Sequence, residues 1–259
     1  MVLTHDDLLA LRYARALLEN PSFATRAVNR TGKALEKILS QFLPGRVQTA
    51  VTRITRKSLE RVLYIALYTM KNEVRKPSRE ATHRIAVIAT GIIGGFFGLP
   101  GLTIELPIST SIIFRSIADI ARSQGEQLSD PEARLACLEV FALGGGSDSG
   151  NEVESFYFAV RGALAKYVSD SAAYMARTEF AQGGPAFVRF VSQVACRFGI
   201  PVSEKVATQT IPAIGAVGGG VINGLFIHHF QDVARGHFIV RRLERKYGPQ
   251  FIRNEYMKL

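Results

Sequence analysis

The sequence predicts an all-α protein, a single multi-helix bundle with two glycine-rich apolar helices or hairpins at its centre. Three observations carry that prediction. Two long stretches, Ile85–Ile104 and Val206–Ile227, hold no charged residue and carry small residues at i,i+4 spacing. Elsewhere, apolar residues recur with a helical period between recognisable caps and breakers. No short alternating run bounded by turns, the mark of a strand, occurs along the chain.

The elements follow in order. Thr4-His5-Asp6-Asp7 is a helix start, with a threonine N-cap and acids in the first turn. That helix runs to about Glu19 and stops at Asn20-Pro21. Ser22 caps a second helix ending at Pro44-Gly45, with Phe23, Ala27, Leu35, Ile38, Leu39 and Phe42 on one side and Arg26, Arg30, Lys33 and Lys37 largely opposite. A third helix spans Arg46–Lys76. In its first half Val47, Ala50, Val51 and Ile54 form an apolar arc, and Arg46, Arg53, Arg56, Lys57 and Arg61 form a basic one. Its second half, VLYIALY, is apolar all round and predicts burial.

Lys76-Pro77-Ser78 marks a boundary with Ser78 as cap. The fourth helix then enters the first uncharged stretch. Gly91/Gly95 and Gly94/Gly98 flatten one helix face so that another backbone can approach. Each costs about 1 kcal/mol of helix propensity against alanine, so close packing or lipid burial must offset it. Twenty uncharged residues meet the length of a bilayer span. Leu99-Pro100-Gly101 and Pro107 argue instead for a hairpin, either re-entrant in a membrane or buried in a soluble core.

The fifth helix runs from about Glu105 to Gln124, where Arg115, Asp119 and Arg122 are spaced to pair with one another. Ser129-Asp130-Pro131-Glu132 starts a sixth, which stops at Gly144-Gly145-Gly146. GGGSDSGNE reads as a hairpin loop. Further helices are expected over Glu154–Ala181 and Ala186–Phe198, the latter ended by Gly199-Ile200-Pro201. In the second uncharged stretch Gly215/Gly219, Ala216/Gly220 and Gly220/Gly224 repeat the small-residue pairing. A charged helix, QDVARGHFIVRRLERKYG, closes the chain. Residues 1–45 are read as N-terminal helices folding as one unit with 46–259.

The net charge of +10 is segregated. Arg26–Arg84 holds 14 Lys/Arg against 4 Glu, and the rest of the chain balances to zero. A localised basic segment points to an anionic partner, and the plainer reading is a solvated helix face. Aromatic residues are not interleaved with the charges, so nucleic acid is disfavoured against lipid. Composition, 47% hydrophobic and 21% charged with mean hydropathy +0.11, sits between a cytosolic enzyme and a polytopic membrane protein. Cys137 and Cys196 both lie in apolar helical contexts, which fits a reducing compartment. The N-terminus has acids where a signal peptide needs lysines, and it reads as mature structure.

No phosphate-binding loop, dinucleotide fingerprint, GxSxG, HExxH or CxxC occurs. A catalytic reading would use Glu105, Asp119, His228 and Asp232. A metal reading would use His228, His229 and Asp232, with Glu105, Asp119 or Glu139 from elsewhere. The plainer reading has His228 or His229 hydrogen-bonding Asp232. Helix-bundle metal sites use paired Glu together with two Glu-x-x-His motifs, and that full set is missing here. Glu105, alone beside the apolar hairpin, needs a partner, and Arg115 or Arg84 is the candidate.

Over Gly95–Gly145 the sequence resembles the bacterial EcsC protein family. The residues that carry this are Gly98-Leu99-Pro100-Gly101, Glu105-Leu106-Pro107, Arg115-Ser116-Ile117-Ala118, Asp130-Pro131-Glu132 and Leu138-Glu139-Val140-Phe141. Pro212, Ile214-Gly215-Ala216-Val217-Gly218-Gly219, Asn223, Phe226 and the RRLERKYG end continue the likeness, which covers roughly Ser58–Tyr256. The family is named for a gene beside an ABC-transporter operon. The resemblance implies a bacterial cytoplasmic or membrane-associated protein and transfers no catalytic residues.

The expectation is therefore a non-enzymatic helical protein without cofactor, placed in the cytoplasm at the inner face of the membrane. Its partner is anionic membrane lipid or a membrane protein, with self-association left open. The lipid- or anion-binding residues would be Arg46, Arg53, Arg56, Lys57 and Arg61. The helix-packing residues would be Gly91, Gly94, Gly95, Gly98, Gly215, Gly219, Gly220 and Gly224. A metal-dependent hydrolase and a soluble partner-binding bundle are the alternatives.

Overall fold

The computed structural model describes residues 2–19, 45–68, 80–96, 98–145, 155–177, 184–209 and 212–259. Among the described residues the chain is all-α: α1 (His5–Leu18), α2 (Gly45–Tyr68), α3 (Glu80–Phe96), α4 (Gly98–Ser123), α5 (Pro131–Leu143), α6 (Phe156–Arg177), α7 (Pro185–Gln209), α8 (Pro212–Tyr247) and α9 (Pro249–Lys258). The expected helix from Ser22 to Pro44, the Lys76–Ser78 boundary and most of the GGGSDSGNE loop lie outside them.

The spine is α8. Its 36 residues span about 54 Å at 1.5 Å per residue. It packs most extensively on α3, then on α1, α4, α9, α7 and α5. The second uncharged stretch and the charged C-terminal helix are therefore not separate elements. Pro212 starts α8, which runs unbroken through both, while Val206–Gln209 ends α7.

Local chemistry sets the helix starts. The Thr4 hydroxyl accepts the Asp7 amide at 3.3 Å, and Asp6 and Asp7 occupy the first turn of α1. Asp130 accepts the Glu132 amide at 3.0 Å, and Pro131 opens α5. Nearly all of α5 from Ala133 to Leu143 is buried, so it is a core helix with no wet face. Phe141 meets Phe198 with ring centroids 4.7 Å apart, Phe198 meets Phe230 at 5.4 Å, and Phe230 meets Phe226 at 5.1 Å. This aromatic column ties α5, α7 and α8 together. Gly144 ends α5 against it, where a Cβ would lie 2.3 Å from Phe230 Cε1.

α1 lies across the charged half of α8. Leu11, Ala14 and Leu18 are buried in that seam, each leucine contributing about 1.5–3 kcal/mol by leaving water. Gly236 permits the close approach, since a Cβ there would stand 2.7 Å from Leu18 Cγ and 3.0 Å from the Ala14 carbonyl.

Two expected breaks are not breaks. Leu99-Pro100-Gly101 belongs to the first turn of α4, which begins at Gly98 and not near Glu105. A proline this early in a helix forfeits no intrahelical hydrogen bond. The hairpin itself is present, because α3 and α4 pack together with the reversal between Phe96 and Gly98. Gly199-Ile200-Pro201 likewise fails to stop α7. Phe190, Val194, Phe198, Val202 and Val206 carry one buried stripe through it, and their burial outweighs the roughly 3 kcal/mol that an interior proline costs. Pro201 offers no N–H to the Arg197 carbonyl, and that oxygen packs on Gly145, where a Cβ would be 2.9 Å away.

Candidate functional site

α2 presents its cations outward. Val51, Thr55, Ser58, Leu59 and Val62 are buried, and α2 packs on α4 and α7. Arg53, Arg56, Lys57 and Arg61 are exposed. At 100° per residue these four occupy an arc of about 140° opposite the buried one. Glu60 is the acid on that arc, accepting from Arg56 Nε at 2.9 Å. The side chain of Arg46 lies outside the described residues.

Glu105 finds its partner a hundred residues on. Lys205 Nζ donates to Glu105 Oε1 at 2.8 Å and to Oε2 at 3.0 Å. Asn223 Nδ2 donates to Glu105 Oε1 at 2.9 Å and to the Val87 carbonyl at 3.1 Å. Lys205 Nζ also lies 4.9 Å from the Phe226 ring centroid. All three polar side chains are buried. One node therefore joins α4, α7 and α8 to the backbone of α3. Neither expected partner is in it. Arg84 donates to Gln231 Oε1 at 3.1 Å, and Arg115 is exposed. Arg115 also stays out of the expected trio, because Asp119 takes Arg122 at 2.7 Å and His83 at 2.9 Å.

The remaining candidates do not converge. Glu105 and Asp119 lie about 21 Å apart along α4. His228 Nδ1 and Asp232 Oδ2 pair at 2.9 Å, and Asp232 also accepts from Arg235 at 2.5 Å. His229 turns away from them and bonds the Gly144 carbonyl through Nε2 at 2.7 Å. Among the described residues no three His, Cys, Asp or Glu side chains are grouped to hold a metal ion. Cys137 is buried and Cys196 exposed, and they are not joined. Of the packing glycines, Gly220 is buried, and Gly224 meets α3, where a Cβ would lie 3.3 Å from Ile88 Cγ1. The surroundings of Gly91, Gly94, Gly95, Gly98, Gly215 and Gly219 lie outside the described residues.

A second buried node escaped the sequence reading. Arg161 grips Glu244 with two hydrogen bonds, at 2.7 and 3.1 Å, and donates to the Tyr157 hydroxyl at 3.1 Å. That hydroxyl lies 3.0 Å from His237 Nδ1. His237 Nε2 faces Glu139 Oε2 at 4.0 Å. Burial raises the Glu139 carboxyl to about 7 despite Arg161 and Arg241 nearby. Burial, then the same two arginines, hold His237 well below the usual imidazole range. Burial opposes the Arg161 charge, but Tyr157 and Glu244 outweigh it and raise its pKa. The relay binds α6 to α8 and faces α5. Its signal was present: Phe226, Phe230, Val233, His237, Val240 and Glu244 follow one helical stripe, and two of the six are polar.

An open cleft of about 660 Å³ lies between α1 and α9, lined by Arg12, Arg15, Ala16, Glu19, Lys258 and Leu259. It carries both signs of charge and none of the residues singled out from the sequence. No helix among the described residues is long and apolar enough to cross a membrane.

Comparison with curated proteins and with solved structures returned no match. A family model does match, over residues 14–243. That span takes in the basic face of α2, the Glu105–Lys205–Asn223 node and the Tyr157–His237–Glu139 relay. The chain belongs to the EcsC protein family.

Proposed function

We propose that this is a non-enzymatic peripheral membrane protein that adsorbs to anionic lipid headgroups through the outer face of α2. The observation that supports this is the division of α2 into a buried apolar arc and an exposed arc bearing Arg53, Arg56, Lys57 and Arg61. Because the apolar arc is packed against α4 and α7, α2 contributes charge and not insertion. Near an anionic surface each such cation is worth about 1 kcal/mol, screened within a Debye length. The segment around α2, Arg26–Arg84, holds the whole excess charge of the chain.

Cosedimentation with phosphatidylcholine vesicles, with and without phosphatidylglycerol, tests the reading. Binding is expected only with the anionic lipid and is released by salt. Arg53→Gln/Lys57→Gln/Arg61→Gln is expected to weaken it about a hundredfold, from three cations at about 1 kcal/mol each. Equal binding to neutral vesicles, or none to either, removes the proposal.

A further inference from the structure

The two hairpins point the same way. The Val87 carbonyl meets Asn223 and the Glu80 carbonyl meets Gln231, so α3 and α8 run antiparallel. Glu105 meets Asn223 and Ser116 meets Gln231, so α4 runs parallel to α8. Lys205 meets Glu105 just before α7 gives way to α8. The α3–α4 reversal and the α7–α8 reversal therefore fall at one end of the bundle. All four helices continue past the Glu105–Lys205–Asn223 layer in that direction, by roughly 6 Å for α7 to about 16 Å for α8.

Beyond that layer the described residues of these four helices carry no ionisable group. Residues 88–96, 98–104, 206–209 and 212–222 contain no Asp, Glu, Lys, Arg or His. Four helix ends lie together without a charge, where soluble bundles place acids and bases to meet the macrodipole and the solvent. Val206 and Ile222 pack inward, and the exposed side chains described at this end are branched hydrocarbons: Ile104 is 69% exposed, Val221 55% and, beside the layer, Ile108 42%. Glu105 and Lys205, which bound the two uncharged stretches, neutralise each other inside the bundle. The exposed side chains described here are thus hydrocarbon, above a buried pair with no net charge.

We propose that this twin-hairpin end enters one bilayer leaflet, as far as the Glu105–Lys205 layer. The inference rests on the adsorption proposed above and adds its orientation and depth. The occupant is lipid, because a chargeless end joined to a segment of +10 matches an apolar layer rimmed by anionic headgroups. Both hairpins return to the side they came from, so entry needs no spanning helix. The depth involved runs from roughly 6 Å at the end of α7 to about 16 Å at the start of α8, which is about one leaflet's half of a hydrocarbon core of roughly 30 Å.

The chain has no tryptophan, so a single introduced one reports its own depth. Ile104→Trp and Val221→Trp replace exposed residues at the hairpin end. Leu9→Trp replaces an exposed residue of α1, about 30 Å away along α8. Each variant is mixed with phosphatidylglycerol-containing vesicles whose acyl chains are brominated. Expected is a blue shift and loss of most emission for the first two and little change for the third. Sedimentation with the vesicles but no quenching at either hairpin position overturns the insertion and leaves the adsorption standing. Equal quenching at all three positions also overturns it. Failure to sediment removes both.

Discussion

The two halves of α8 hold their surroundings by opposite means. From Asp232 to Tyr247 it is laced with half-buried ion pairs: Arg235 with Asp232 and Glu80, Arg241 with Glu126, Glu244 with Arg161, and Lys246 with Asp7. From Pro212 to Ile227 the polar tie described is one node, Asn223 with Glu105 and Lys205. In the first half the charges are many and several share a partner, so no single pair holds the seam. In the second, the pair is out of water, where desolvation makes either partner alone expensive. The contrast separates a seam that tolerates local loss from a joint that holds or fails as a unit.

Removing one member of the joint should give the largest effect. Lys205→Met leaves Glu105 buried without its cation and is expected to cost about 3–5 kcal/mol in urea unfolding. Adding Glu105→Leu should recover most of that. If the single variant loses no more than a surface substitution, the two halves do not differ as described. Next comes the α1 seam. Gly236→Val forces a side chain against Leu18 and the Ala14 carbonyl and should cost about 1–3 kcal/mol, partly relieved by Leu18→Ala. Thermal melts of the two variants check this.

The relay sharpens the comparison through pH. Glu139 ionises near 7 in the folded chain against an ordinary 4.5. Its proton therefore stabilises the fold fully below pH 4.5, and that stability is lost as pH rises to 7. His237 refuses a proton that the unfolded chain accepts below 6.5, so its contribution is lost as pH falls below 6.5. Between pH 4.5 and 6.5 the two slopes oppose. Tyr157, Arg161, Arg241, Glu244 and Glu132 also face this pair. In Glu139→Gln, stability should fall on acidification. In His237→Asn it should fall on going from pH 4.5 to 7, each with a slope approaching about 1.4 kcal/mol per pH unit. Urea midpoints across that range decide it, and parallel profiles for the two variants would falsify the assignment.

The smallest effect belongs to the exposed rim of the charged half. Arg245 contacts Glu126, which Arg241 also holds. Arg245→Ala should cost less than about 1 kcal/mol, and less again in high salt.

Much of this fold was legible because its signals are local. Thr4 and Asp130-Pro131 start helices by their own local chemistry, and the uncharged stretches could be read as helical. The hairpin was legible for the same reason. Glu105 visibly needed a partner, but Lys205 is separated from it by 100 positions, and linear spacing favoured the nearer Arg115. Pro201 misled because the stripe that carries α7 through it draws its burial from α5 and α8. The stripe that holds His237 was legible, but Tyr157 gave no signal and Glu139 was read only as a candidate metal ligand. Only their meeting across three helices makes them a unit. The basic face of α2 could be read directly, because its charges and its buried arc follow one helical period.

The seam between α1 and α8 also sets an order of events during synthesis. Asp7 meets Tyr247 across 240 positions. At about 5–20 residues per second, the ribosome makes the last turn of α8 roughly 10–50 s after α1. For that interval the α8 surface that covers Leu11, Ala14 and Leu18 in the folded chain is incomplete. A nascent chain stalled before Gly236 should therefore be held by chaperones through α1, and it should let go once α8 is complete.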